Sequence, residues 1–347
     1  MRQLTELGFY GLAGAPTSPA ELLTECRDGE ALGLGTIFLS ERFNIKEIAT
    51  QSGAAAASTS TMNIATGVTN HNTRHPMVTG SFATTMHRLT GGRFTLGLGR
   101  GMDLMFDAYG LPRITTAQLE DFVRLMRRLW QGEVVVGHDG PAGSWPVLAL
   151  DPSFREDIPT LIAAFGPHTL ALGGRCFDSV LLHTFFTDET LQRSVATIRT
   201  AAEHADRDPQ DVRIWSCYSV TGDWISPALK LKKTVGRLAT YLQAYGDLMV
   251  RTNNWDAAAL VRFRADPVVA GFRGAIDAQA TTEQLEHVAT LIPEDWLAAS
   301  ATGSAEQCAT AVHRQLELGA DGVVMHGASP TELMPVVTAY RALYETA

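Results

Sequence analysis

Cysteine is scarce in this 347-residue chain: Cys26, Cys176, Cys217 and Cys308 are the only four, and no two form a Cys-x-x-Cys pair. That spacing excludes the usual zinc and redox motifs. So few thiols in so long a chain also exclude a disulfide framework, which leaves four reduced and mostly buried thiols. Lysine is equally rare, with four against 24 arginines, and no basic run interrupts a net charge of −9. The positive footprint needed for nucleic acid or an anionic membrane is therefore missing. No apolar run approaches the roughly 18 residues of a membrane span. The opening MRQLTELGFYGLAG lacks the basic segment and long apolar stretch of a secretory leader. These absences predict a cytoplasmic protein acting on a small molecule, with neither nucleic acid nor membrane as partner.

Motif absences narrow the chemistry further. No GxxxxGK[ST] loop is present for a nucleoside triphosphate, and no GxSxG elbow for a serine hydrolase. Gly97-Leu98-Gly99-Arg100-Gly101 is a GxGxG, but Met102 stands where a dinucleotide fingerprint needs its last glycine, and the distal acid is missing too. His71 and His75 stand four apart, yet they precede Pro76 and so lie in a loop with no acidic partner near. No metal site is expected.

What is present is a regular alternation of short apolar segments and longer helical patterns. Candidate strands are Leu7–Leu12, Thr36–Ser40, Asn63–Val68, Arg93–Gly99, Pro159–Ala164, Ser179–His183, Arg213–Val220 and Gly322–His326. Helical patterns occupy Pro19–Leu32, Ile45–Ser58, Pro76–Leu89, Thr116–Gln131, Pro167–Arg175, Thr190–Asp206, Ser304–Leu318 and Pro330–Tyr344. Several begin with a Ser or Thr cap, a first-turn proline and early carboxylates, which satisfy free N–H groups and suit the helix dipole. Strands joined by single helices must run parallel, and eight such units predict an α/β fold of the (β/α)₈ TIM-barrel type. Glu133–Leu150 reads as a hairpin excursion. Residues 222–301 are too long for one helix and read as a helical insertion before the last strand, within one domain spanning 1–347.

In such a barrel the functional groups sit on loops after the strands. Those loops contain Ser40-Glu41-Arg42 after strand two, and Gly67-Val68-Thr69-Asn70 running on to Arg74 after strand three. Gly99-Arg100-Gly101-Met102 follows strand four and Ala164-Phe165-Gly166-Pro167-His168 strand five. The strand-three loop is either a solvated polar loop or one wall of a site. Ala164–His168 runs from strand into helix, so its first-turn N–H groups make either an ordinary tight turn or an anion site suited to phosphate. His183, ending strand six, is either a satisfied strand-end histidine or a substrate contact.

The run MNIATGVTNHNTRHPMVTGSFATTMHRLTGGRFTLGLGRG resembles the central signature of the luciferase-like flavin and deazaflavin oxidoreductases. IPTLIAAFGPHTLALGGRCFDSVLLH and the closing SATGSAEQCATAVHRQLELGADGVVMH are similar to other strand units of that family. The resemblance implies an oxidoreductase, often homodimeric, with a cis peptide at Gly67–Val68 backing a cofactor ring. It implies that Thr69 and Asn70 hydrogen-bond the ring's edge, with Ser40 alongside. Gly99, Arg100 and Gly101 would line the pocket, and Ala164, Phe165, Gly166, Pro167 and His168 would receive a phosphate. The GVTN and RHP runs resemble most the branch that uses coenzyme F420, and the bias of Arg over Lys suits the high-GC genomes where that deazaflavin is common. The alternatives are a monooxygenase using FMN and a barrel that binds cofactor without catalysis.

Two positions depart from the family's deazaflavin-dependent sugar-phosphate dehydrogenases. Glu41-Arg42 stands where those have Asp-His, and Met102 where they have Glu. An arginine, with a pKa above about 12, neither gives nor takes a proton. Glu41 is therefore the expected acid/base group, with Arg42 as an electrostatic clamp and Arg74 and His183 facing substrate.

Overall fold

A computed structural model describes residues 2–13, 16–43 and 46–344. Its barrel strands, numbered here in chain order, are β1 (Leu4–Tyr10), β2 (Leu34–Leu39), β3 (Asn63–Thr66), β4 (Phe94–Leu98), β5 (Thr160–Ala164), β6 (Ser179–Leu182), β7 (Arg213–Gly222) and β8 (Gly322–His326). Each pairs in parallel with the next, and β8 returns to β1 through Leu7↔Val323, Gly8↔Val324 and Phe9↔Met325. The sheet is thus a closed (β/α)₈ barrel. All eight strands fall where the alternation placed them. β1 starts three residues earlier than expected, at Leu4, and ends two earlier, at Tyr10; Gly11 N still donates to Phe38 O at 2.9 Å, and the strand conformation is broken at Leu12, with a φ of 54°. The expected helix start at Ile45 lies outside the described residues; that helix runs Ile48–Ser58.

β2 shows why the sequence closes in this way. Every residue of LGTIFL is buried, as a parallel strand covered on both faces requires. Ile37 and Leu39 join the outer core under the helices, while Phe38 between them points inward. Phe38 meets Trp215 edge-on at 5.1 Å, and Ala65, Leu161, Leu181, Cys217 and Val324 complete the interior plug. The barrel is therefore solid below its mouth, and chemistry is confined to the C-terminal rim. All four cysteines are buried and unpaired. Burial pushes the Cys26 and Cys217 thiols up to about 12, which leaves them unreactive.

Two excursions leave the barrel. Val135–Gly140 and Gly143–Leu148 form the expected antiparallel hairpin. Between β7 and β8 the chain builds the helical insertion, whose main helix Arg237–Asn253 continues from Pro227–Leu231 through a π-helical turn at Lys232–Gly236. It has its own core, including Leu238, Leu242, Trp255, Phe263 and Trp296, with Trp255 and Trp296 stacked at 4.6 Å. The barrel contributes Phe185, from the loop after β6, to that core. Asn253 secures the joint: its amide donates to Phe185 O at 2.9 Å and its carbonyl accepts from Thr187 N at 3.2 Å.

Candidate active site

The rim is built first by backbone. Gly67 N donates to Leu39 O at 2.7 Å, Glu41 N to Val68 O at 3.1 Å, Thr69 N to Gly97 O and Gly99 N to Thr69 O, both at 2.9 Å. These bonds lash together the ends of β2, β3 and β4. The Gly67–Val68 peptide is cis, and Val68 packs on the aromatic plug, so it forms an apolar step at the mouth. Gly99 is required beside it, since a β-carbon there would lie 2.3 Å from Val68 Cγ2.

Under this step lies a polar knot. The Glu41 side chain, 2% exposed, is gripped by both Arg74 nitrogens, Nη1 at 3.0 Å. It also accepts from Thr69 Oγ1 at 2.5 Å. Arg74 extends to Glu47 at 2.7 Å. Asn70 Nδ2 donates to Gly99 O at 2.8 Å, and Arg100 Nε to Ile114 O at 2.8 Å. Several side chains nominated from sequence therefore act on their neighbours. Arg74 and Glu41 neutralise one another, and the donors of Thr69 and Asn70 brace the loops. Arg42 and His168 are exposed, and Ser40 is half-buried.

The far side of the mouth is aromatic. Phe165 stacks on His183 at 4.3 Å and 10°, and Tyr241 and Tyr245 of the insertion meet His183 at 4.9 and 5.6 Å. His183 Nδ1 lies 3.0 Å from Thr184 O. A carbonyl only accepts, so Nδ1 carries the hydrogen and Nε2 is bare. Burial pushes the His183 pKa down to about 4. Between the two walls stand Tyr10, ending β1, and His326, ending β8, edge-on at 5.3 Å. Lys46 is buried behind them and donates to the Leu12 carbonyl; burial, with Arg42 adding to it, pushes its ammonium down to about 7.

The start of the helix Pro167–Cys176 completes the rim. Gly166 caps it with no side-chain bond, and a β-carbon there would meet nothing within 4 Å. Pro167 has no N–H, and Thr169 N and Leu170 N donate to Gly166 O at 3.1 and 3.0 Å, which leaves His168 N as the donor at this helix start. An uncapped helix N-terminus facing open space is suited to an anion.

This closed barrel, with its glycine-lined step and uncapped helix, agrees with what the whole sequence matches. The profile of the luciferase-like monooxygenase family covers residues 5–322. The chain belongs to that family. Among luciferase-like relatives, a 5,10-methylenetetrahydromethanopterin reductase of Methanolobus tindarius is 25% identical over 327 residues, covering 91% of this chain and 93% of that protein. A putative coenzyme F420-dependent oxidoreductase of Mycobacterium tuberculosis is 29% identical over 191 residues, 51% of this chain and 53% of that one. The solved coenzyme F420-dependent tetrahydromethanopterin reductase of Methanopyrus kandleri superposes with a TM-score of 0.78 at 19% identity, covering 96% and 97% of the two chains. The chain is accordingly an oxidoreductase of the luciferase-like fold.

Sequence reasoning missed four residues of this luciferase-like mouth: Tyr10, Tyr241, Tyr245 and His326. Tyr10 and His326 end strands, a position that could have nominated them. Tyr241 and Tyr245 stand four apart on one helix face, but nothing local tells that the insertion brings that face over the barrel.

Proposed function

We propose that the chain is a coenzyme F420-dependent oxidoreductase that exchanges a hydride between the deazaflavin and a small organic substrate. One juxtaposition carries the reading: an apolar step at Val68 and an uncapped helix start at Gly166 share a single mouth. A planar ring bearing a phosphorylated tail fits both. The relatives that bear the coenzyme's name support the deazaflavin over FMN. When bound, the deazaflavin supplies a two-electron hydride carrier. The residues supply position: Val68 backs one ring face, Gly99 lets that step rise, and the Glu41–Arg74–Thr69 knot holds the rim rigid.

The test is a titration of purified protein with oxidised F420 and, separately, with FMN, followed by fluorescence. Micromolar binding of F420 is expected. Binding of FMN alone would overturn the reading, and binding of neither would favour a barrel without this cofactor. Gly166→Val places a side chain in open space at a φ of −93°, which any residue adopts. It should leave the melting temperature unchanged and weaken F420 binding at least about tenfold, the loss of roughly 1.4 kcal/mol of phosphate contact.

A further inference from the structure

With Glu41 locked against Arg74 and Thr69, the proton that must accompany a hydride has to come from elsewhere at the mouth. One hydroxyl is placed for it. Tyr241 Oη lies 3.3 Å from His326 Nε2, and both residues are half-buried, so the pair is reachable from the recess. His326 Nδ1 is buried with no hydrogen-bond partner among the described residues. A hydrogen on Nδ1 would be an unpaired buried donor, whereas a hydrogen on Nε2 is used in the bond to Tyr241. The imidazole therefore donates to Tyr241 Oη, as the Thr184 hydroxyl does, and the phenol's own proton is left for a third partner.

A cation stands beside the phenol. The Arg237 guanidinium lies 5.9 Å from the Tyr241 ring centroid, itself held by Asp277 at 2.9 Å. Burial raises the Tyr241 pKa, against which Arg237, the Thr184 hydrogen bond and Arg42 act, so the acid form is the resting one. The dyad also adjoins the cofactor step. Tyr10 meets His326 edge-on at 5.3 Å, and a β-carbon on Gly67 would lie 3.3 Å from the Tyr10 ring. Phe165, His183 and Tyr245 wall the recess on the other side. The π-helical turn at Lys232–Gly236 immediately precedes the helix that carries Arg237, Tyr241 and Tyr245; such turns recur at functional sites.

We propose that Tyr241 is the proton donor and acceptor of the reaction, that His326 positions its hydroxyl, and that the substrates are ketones or aldehydes with an apolar or aromatic body and the corresponding alcohols. This rests on the hydride-transfer reading above. In the reducing direction the carbonyl carbon gains a hydride, one proton with two electrons, from the reduced deazaflavin. The C=O π pair moves onto oxygen, and that oxygen takes the Tyr241 proton. One carbonyl and one reduced coenzyme become one alcohol and one oxidised coenzyme. The phenolate accepts the His326 Nε2–H bond until a solvent proton replaces the one given. An ordinary phenol is a stronger acid than an alcohol, and the cation and hydrogen bonds at Tyr241 act against the rise that burial causes. Tyr241 is catalytic in this scheme; His326 is a positioning residue.

The experiment loads the protein with reduced F420 under argon and follows coenzyme oxidation on adding cyclohexanone, acetophenone or benzaldehyde. F420 affinity is measured in parallel for every variant. Wild type should reduce at least one of the three. Tyr241→Phe, which keeps the ring and its packing, should lower kcat about 100-fold or more, the range of a lost general acid, with KM and F420 affinity within about threefold. His326→Gln should lower kcat about tenfold and move the pH profile. Three results would overturn the proposal while leaving the cofactor reading intact: F420 bound but no carbonyl reduced, Tyr241→Phe within threefold of wild type, or His326→Gln without effect. Failure to bind F420 would overturn both.

Discussion

A histidine walled in by rings refuses a proton that it would accept in water. His183 stacks on Phe165, spends Nδ1 on Thr184 O and has its pKa driven down to about 4 by burial. In the unfolded chain the value returns to about 6.5. Between these values the unfolded state binds a proton that the folded state does not, so stability falls with falling pH. The contribution is complete above about pH 6.5 and is lost progressively towards pH 4. His183→Phe keeps an aromatic stack and removes the titration. Urea midpoints at pH 7.5 and 5 should therefore converge in the variant relative to wild type. An identical drop in both proteins would count against this account. Burial likewise lowers the His326 pKa, whose effect on stability has the same sign, while it raises those of Tyr10 and Tyr241, whose effect appears only at alkaline pH.

Among the elements, the helix Ile48–Ser58 ties the rim to the helical shell. Its cap is Glu47, whose carboxylate accepts from Thr50 N at 2.8 Å and Ala49 N at 3.2 Å and from Arg74 Nη2 at 2.7 Å. Burial pushes the Glu47 pKa up, but these donors outweigh it and bring it down to about 2. A depressed carboxylate stabilises the fold above its unfolded value of about 4.3, and that stability disappears as pH falls towards 2. Glu47→Ala should cost about 1 kcal/mol at pH 7, the usual size of a lost cap. The difference should vanish near pH 2, measured by denaturant unfolding. A gap unchanged by acid would show that packing, not the charged cap, was lost. Since Arg74 also grips Glu41, the same variant should loosen the strand-two loop, visible as faster amide exchange at Glu41 and Arg42.

At the scale of the molecule, the mouth exists only where two cores meet. The barrel plug presents Val68, Tyr10 and His326; the insertion brings Tyr241 and Tyr245 over them. Asn253 holds that joint through two backbone groups of the loop after β6. Asn253→Leu would leave both without their partner, at about 1–3 kcal/mol each. Hydrogen exchange in 227–297 should rise about tenfold or more while the barrel strands keep their protection. Uniform loss of protection along the chain would instead make the two cores one cooperative unit.

Periodicity, caps and turn residues determined the barrel, because the code for a parallel strand covered on both faces is local: a short apolar run such as LGTIFL, bounded by glycine and followed by a helix. The glycine-lined rim was legible too, since glycines crowded at the ends of two adjacent strands have few other uses. What only the tertiary structure decided was which polar side chains remain available there. Glu41 and Arg74 stand 33 residues apart, and nothing in either segment shows that they neutralise one another. Tyr241 and His326 stand 85 apart on an irregular insertion and a terminal strand. Pairing at that range depends on barrel closure and on the angle at which the insertion docks, and neither leaves a periodic trace in the residues themselves.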